Sequence, residues 1–144
     1  MKFFVQLLCV FGLISAANAG DAPLHEGDCW SYNTRPGEEQ SFLVIRKVEQ
    51  VPKIGEVVHI SIFGLHLKNP QTPDGFSSVL PHMPISAESL RRSITQKLQR
   101  RAPDCDWQAG YTIWREANAG AFSEPVSECV NFTEDALNHG KPQT

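Results

Sequence analysis

His59 and Ser61 are two positions apart in an alternating stretch, so a strand would place both side chains on one face. A serine hydroxyl beside a histidine base is the combination that performs nucleophilic catalysis. That chemistry also needs donors for the developing oxyanion, and the sequence contains no Gly-x-Ser-x-Gly turn. We therefore interpret the pair as polar residues of a half-exposed strand, and we assign no catalytic residue.

Three further histidines are candidate metal ligands, because neutral imidazole is a common ligand in proteins. They are His25, His66 and His82, and they are far apart in the chain. No His-x-x-x-His or Cys-x-x-Cys spacing accompanies them. The sequence also lacks a glycine-rich phosphate-binding loop. It therefore predicts neither a metal site nor a cofactor.

The first nineteen residues have the organisation of an export signal. Lys2 is followed by an apolar stretch over residues 3–14 and by the small residues Ala17, Asn18 and Ala19. The apolar stretch has about 12 residues, whereas a membrane-spanning helix needs about 20, so a permanent anchor is the less favoured alternative. We predict cleavage between Ala19 and Gly20. The mature chain, residues 20–144, would be one periplasmic or secreted domain without a stable membrane anchor.

The net charge of the mature chain limits the kinds of molecule that it is expected to bind. The whole chain has 13 basic and 16 acidic residues, and Lys2 leaves with the signal, so the mature balance is 12 − 16 = −4. A mildly acidic surface argues against binding to nucleic acid or to an anionic membrane. We therefore expect the partner to be another protein.

Cleavage of the signal leaves an odd number of cysteines. Cys9 would be removed, and Cys29, Cys105 and Cys129 would remain in an oxidising compartment. If the last two helices form an antiparallel hairpin, Cys105 and Cys129 lie about 9 Å apart along the helix axes. A disulfide needs Cα atoms within roughly 7 Å. We therefore predict a Cys29–Cys105 bridge, with Cys129 as a buried thiol.

Strand patterns occupy the first half of the mature chain. Residues 29–32, 41–51 and 56–67 are rich in β-branched and aromatic side chains, and the short break between the last two predicts an antiparallel hairpin. Helical periodicity follows over residues 86–101, over residues 106–120 and from about residue 123. Strands followed by helices indicate an α+β fold. We expect a small antiparallel sheet of about three strands with about three helices packed on one face.

The segment 68–84 contains four prolines and is predicted to be a long loop. Its apolar side chains would form a partner-binding surface if they are exposed. The alternative is that Phe76 and Leu80 fold back onto the sheet or the helices. The apolar residues of this predicted loop are Phe76, Val79, Leu80 and Met83.

Two of the predicted helices have faces that suggest binding. The first would carry a basic face able to bind an acidic partner, or a solvated outer face whose long stems cover apolar surface. The second would align Trp107, Tyr111 and Trp114, either as core or as a platform for a ring or sugar. The residues of the basic face are Arg91, Arg92, Lys97, Arg100 and Arg101.

These features favour a non-catalytic class of protein. We expect an exported small binding protein, for instance an inhibitor or neutraliser of another envelope or secreted protein. The alternative is a small exported hydrolase whose site is assembled from dispersed histidines and carboxylates. The two hypotheses differ in what the fold must bring together. A hydrolase needs histidines or carboxylates that converge on a concave pocket, and a binding loop needs exposed apolar side chains.

Overall fold

The computed structural model describes residues 21–140, and in this range five strands form one antiparallel sheet. The strands lie side by side in the order β4-β3-β2-β1-β5. The predicted signal peptide and its cleavage position lie outside the described residues. The elements are β1 (Cys29–Tyr32), β2 (Phe42–Val51), β3 (Gly55–Lys68), β4 (Phe76–Ser86), α1 (Ala87–Ser93), β5 (Ile94–Leu98), α2 (Trp107–Glu116) and α3 (Val126–His139).

The β2–β3 hairpin confirms the strongest strand prediction. The two strands pair in antiparallel register from Phe42↔Phe63 to Val51↔Gly55. A turn containing Lys53, whose φ is 69°, joins them. A second irregularity occurs at Gly64, where φ is 74° and an added Cβ would lie 3.1 Å from the Cα of Ser41. Only glycine fits there without displacing the neighbouring backbone.

The expectation of about three strands is wrong, and the predicted loop supplies one of the missing strands. Residues 76–86 form β4, which pairs with β3. Pro81 and Pro84 make this segment look unlike a strand in the sequence, because proline cannot donate a hydrogen bond to a neighbouring strand. Edge strands tolerate proline, and β4 lies at one edge of the sheet.

The other missing strand lies inside the predicted basic helix. The Ser86 hydroxyl accepts a hydrogen bond from the Ser89 amide and caps the start of α1, so a helix does begin at the predicted place. The helix nevertheless ends at Ser93, and β5 follows at once and pairs with β1. Leu90 and Ile94 share one core cluster across this junction. Leu90 and Ile94 are four positions apart, as on one face of a helix, but Leu90 lies in α1 and Ile94 lies in β5.

The helices cover both faces of the sheet rather than one. Val58 and Ile60 of β3 pack in the main core with Val130 of α3. His59, between them in sequence, points to the opposite face and contacts Tyr111 and Trp114 of α2. Adjacent strand residues alternate between faces, so α2 and α3 lie on opposite sides. Among the residues that the structure describes, no helix is long and apolar enough to cross a membrane.

Candidate functional site

A histidine lies at the centre of the contact between the sheet and α2. His59 is completely buried, although histidine is a residue that proteins seldom bury fully. Its ring meets Tyr111 edge-on at 4.8 Å and Trp114 at 4.5 Å between ring centroids. We define the His59 cluster as Glu49, His59, His82, Tyr111 and Trp114.

The His59 cluster is a chain of polar contacts. Nδ1 of His59 lies 2.8 Å from Nε2 of His82, and its Nε2 lies 3.4 Å from a carboxylate oxygen of Glu49. The Tyr111 hydroxyl donates to the same oxygen at 2.9 Å. The second His59 contact is too long for a full hydrogen bond, and Nε2 has no hydrogen-bond partner among the described residues. Both contacts are attractive when His82 donates to His59 and the Nε2 proton of His59 faces the carboxylate.

Burial keeps both imidazoles neutral at pH 7. Desolvation and, to a smaller extent, the neighbouring His82 lower the pKa of His59 to about 4, against the opposing effect of Glu49. Desolvation also lowers the pKa of His82. Neutral imidazoles can accept and donate protons, which is a requirement of general acid–base chemistry.

A cavity of about 330 Å³ opens beside the cluster, between the β2–β3 hairpin and the end of α2. Glu49 and Trp114 line it together with Ile54 and Arg115. One carboxylate of the cluster therefore reaches a concave surface, while His59 behind it does not reach solvent.

Ser61 shares the face of His59 but is not activated by it. The Ser61 hydroxyl donates to the Pro81 carbonyl at 2.7 Å and accepts from Nε of Arg46 at 2.8 Å. The Cys105 thiol donates to the same hydroxyl at 3.3 Å. The polar partners of Ser61 and of His59 are thus different, and the pair lacks the hydrogen bond that nucleophilic catalysis requires.

A second concave surface lies at the other end of the sheet. This Phe76 cleft has a volume of about 450 Å³. The Phe76 ring is 37% exposed and stacks on His66 with 4.0 Å between ring centroids. The cleft is lined by Arg35, Pro36, Gly37, Glu38, His66, Lys68, Phe76 and Glu134.

Arg35 connects three parts of the chain beneath the Phe76 cleft. Its Nε and Nη2 donate to the two carboxylate oxygens of Glu38 at 2.7 and 2.8 Å, and Nη1 donates to Glu134 at 3.2 Å. The backbone amides of His66 and Lys68 donate to Glu38 and Glu134. Burial alone would raise the pKa of each carboxyl, but these bonds outweigh it and hold both pKa values below the ordinary range.

The predicted partner-binding loop is only partly exposed, because it is a strand. Met83 is buried in the main core, and Val79 and Leu80 are half-buried. Of the four apolar residues, Phe76 is the one that remains exposed. It lies at the start of β4, where Lys68 is its partner on β3.

The predicted basic face is divided among several environments. Arg91 and Arg92 lie on α1 and pair with Glu56 at 3.6 Å and Glu88 at 3.4 Å. Lys97 lies on β5 and pairs with Asp28 at 3.4 Å. Beyond β5, Arg100 stacks over the Phe42 ring at 3.9 Å, and Arg101 is exposed. Because the helix ends at Ser93, the five basic side chains do not form the single face that a continuous helix would have given them.

The predicted Cys29–Cys105 bridge is not present, and the three cysteines of the described residues are free thiols. Cys29 pairs with Val44, which pairs with Ser61, and the Cys105 sulfur lies against Ser61. Two strand spacings, about 9.5 Å, thus separate Cys29 from the strand on which Cys105 packs. Burial raises the pKa of Cys129 to about 11 and also raises that of Cys29.

The remaining histidines do not converge on a metal. His25 lies 3.7 Å from Asp28, and His66 stacks on Phe76. Within residues 21–140 no group of three or more histidine, cysteine or carboxylate side chains is placed to hold a metal ion.

Sequence reasoning missed Glu49 and the ion-pair network of the Phe76 cleft. Neither had a local signal, since Arg35 and Glu134 are 99 positions apart. Gly110, in the interior of α2, is the one signal that was available. An added Cβ there would lie 2.8 Å from the Cβ of His82, so glycine permits the close approach of α2.

Comparison of the chain with known protein families, with curated proteins and with solved structures found no match.

Proposed function

We propose that this protein is a small exported binding protein that binds another envelope or secreted protein through the Phe76 cleft. The observation that carries the proposal is the exposed Phe76 ring, held against His66 above a concave surface. An exposed aromatic side chain beside a concavity is typical of the anchors that dominate protein interfaces.

The floor of the Phe76 cleft supports binding rather than catalysis. Arg35, Glu38 and Glu134 hydrogen-bond to one another and to the adjacent backbone amides, so these groups already have partners within the fold. A rigid floor keeps the cleft open without a partner, and a preformed surface reduces the entropy that is lost on binding. Phe76 and Lys68 then supply the apolar and charged contacts at the rim.

Affinity capture tests the proposed site. The mature chain is used as bait in an extract of its own compartment, and Phe76→Asp is compared with Phe132→Asp. Phe132 is 54% exposed on α3 and does not line the cleft, so it is a matched control. We expect one stoichiometric partner that Phe76→Asp loses and Phe132→Asp keeps. Equal capture by both variants would remove the Phe76 cleft from consideration.

Export is a separate part of the proposal. The charged start, the apolar stretch and the small residues before Gly20 support it. N-terminal sequencing of the protein recovered from the envelope or medium should begin at Gly20. A chain that keeps residues 1–19 in its final compartment would contradict this.

The His59 cluster favours a second candidate, an exported hydrolase. Two histidines and a carboxylate converge there, and Glu49 reaches the 330 Å³ cavity as a general acid or base with His59 behind it. A panel of ester, amide and glycoside substrates is the test. Any activity should fall at least about 100-fold in Glu49→Gln, the usual size of general acid–base effects. An unchanged rate in that variant would exclude this site.

A further inference from the structure

Helix α2 is attached to the molecule differently from the other helices. Among residues 21–140, the main apolar core includes side chains of α1 and α3, and neither apolar cluster includes a residue of α2. Trp114 is the one buried residue of α2. Its contacts with the sheet are made by aromatic rings around His59 and by the Tyr111–Glu49 hydrogen bond. Docking of α2 therefore depends on the aromatic and polar contacts around His59 and not on the two apolar clusters.

The geometry of the histidine pair admits one shared proton. With 2.8 Å between the two nitrogens, only one of them can carry hydrogen toward the other. Protonation of both rings would place two N–H groups against each other. It would also place two positive charges where His59 has no access to water, which is costly.

The surroundings offset only part of such a charge. Glu49 attracts it from 3.4 Å, and Lys47, which pairs with His59 across the strands, repels it. The charged and titratable groups that face His59 are Lys47 and Glu49 on β2, His82 on β4 and Tyr111 on α2, with Arg115 of α2 lining the cavity beside Glu49.

We propose that the His59–His82 pair is a pH-sensitive latch that holds α2 on the sheet when neutral and releases it when both rings are protonated. Release exposes the aromatic face of α2, formed by Trp107, Tyr111 and Trp114. The sheet, α1 and α3 keep their own apolar core and remain folded. This inference is independent of the Phe76 cleft, which lies among other residues.

The pH range follows from the direction of the shift. The released state binds protons near the ordinary pKa of 6.5, whereas the docked state holds the pKa of His59 at about 4. Docking is therefore strongest above pH 6.5 and weakens as the pH falls toward 4. A difference of about 2.5 pKa units corresponds to a decrease of at most roughly 300-fold in the docking equilibrium constant, a limit that is approached only below pH 4.

Hydrogen exchange of α2 compared with α3 tests the latch in the mature chain. After correction for the intrinsic pH dependence of exchange, amides of residues 107–116 should lose protection between pH 7 and pH 4.5. Those of residues 126–139 should not. Equal behaviour of the two helices, or constant protection of α2, would overturn the proposal.

Variants separate the latch from general acid sensitivity. In His82→Gln the pair loses one titrating ring and the repulsion from a charged His82, so the pH-dependent loss of α2 protection should be smaller than in the parent, although His59 stays desolvated. His59→Phe, which removes the fully buried ring, should reduce it further if circular dichroism shows a folded chain, and His82→Gln carries the test if it does not. His139→Gln, at an exposed site, is the matched control and should behave as the parent. A pH dependence in His82→Gln as large as that of the parent would overturn the proposal.

Discussion

At the scale of single residues, the unusual feature is a titratable side chain where an apolar one is expected. His59 lies in a strand whose neighbouring residues, Val58 and Ile60, are fully buried on the opposite face. A buried imidazole must be neutral or paired, because an isolated charge is expensive in a dry site. His82 and Glu49 supply polar contacts, and the cost of burying His59 is thereby reduced.

Gly110→Ala should destabilise the protein even though alanine favours helices by about 1 kcal/mol over glycine. The new methyl group would lie 2.8 Å from the Cβ of His82, so α2 or His82 must move. We expect the variant to unfold at a lower denaturant concentration than the parent. Gly120→Ala, where an added Cβ meets nothing within 4 Å, is the control. A stabilised Gly110→Ala variant would show that α2 does not pack as closely as described.

The cysteines should differ in reactivity in the native state. Cys29 and Cys129 are buried and have raised pKa values, whereas Cys105 is half-exposed. Maleimide should therefore label Cys105 faster by on the order of 100-fold, since thiolate fraction and access both set the rate. Peptide mapping measures this, and denaturant should equalise the three sites. Resistance of Cys105 to labelling before reduction would reveal a disulfide.

At the scale of elements, edge strands and helix docking decide the architecture. β4 and β5 lie at the two edges of the sheet. Edge strands carry prolines and charges that prevent pairing with other chains. These residues also make the strand pattern harder to recognise in the sequence. α2 contacts the sheet through the His59 cluster, while α3 contributes Val126, Cys129 and Val130 to the main core. The two helices should therefore differ in local stability.

Tyr111→Phe should weaken the docking of α2. The phenolic hydrogen bond to Glu49 would be lost, and hydrogen bonds to charged groups contribute about 1.5 kcal/mol or more to stability. A double-mutant cycle with Glu49→Ala, which removes the acceptor, isolates the pair, with the free energy of unfolding as the measurement. The coupling energy should be about 1 kcal/mol. Additive effects of the two changes would mean that the bond contributes nothing.

Glu38→Ala should cost about 3 kcal/mol in the free energy of unfolding, because it leaves the Arg35 guanidinium without its bidentate partner. Glu38 is 4% exposed and joins Arg35 to the amide of His66, so the loss affects the loop after β1, β3 and α3 together. Glu39→Ala, at the exposed neighbouring position, is the control. If Glu38→Ala and Glu39→Ala lowered the free energy of unfolding by the same amount, the Arg35–Glu38 ion pair would make no net contribution to stability.

At the scale of the whole molecule, the two faces of the sheet have different character. One face is an apolar core shared with α1 and α3, and the other combines apolar residues with the polar groups beneath α2. A domain built this way should lose its structure in parts rather than in a single step.

Acid unfolding should therefore occur in two stages. Between pH 6.5 and about 4 the docking of α2 weakens, because the docked state has lowered pKa values for His59 and His82 and binds fewer protons than the released state. Helix α2 is therefore released first. Glu38 and Glu134 have lowered pKa values, so their contribution is present above pH 4.5 and is lost only as the pH falls through the folded values. Tryptophan fluorescence should thus change at a higher pH than far-ultraviolet circular dichroism. Coincident transitions would contradict the two-stage description.

Local patterns were sufficient for part of this fold. The β2–β3 hairpin and helices near residues 106–120 and after residue 123 were predicted correctly, because alternation and helical periodicity involve residues close in sequence. The tertiary structure alone decided that 76–86 and 94–98 are strands, since edge pairing overrides proline and helical spacing. It also decided which side of the sheet α2 covers. The His59–His82 contact spans 23 positions and the Arg35–Glu134 contact spans 99. Contacts at such separations depend on chain topology, which no local spacing encodes.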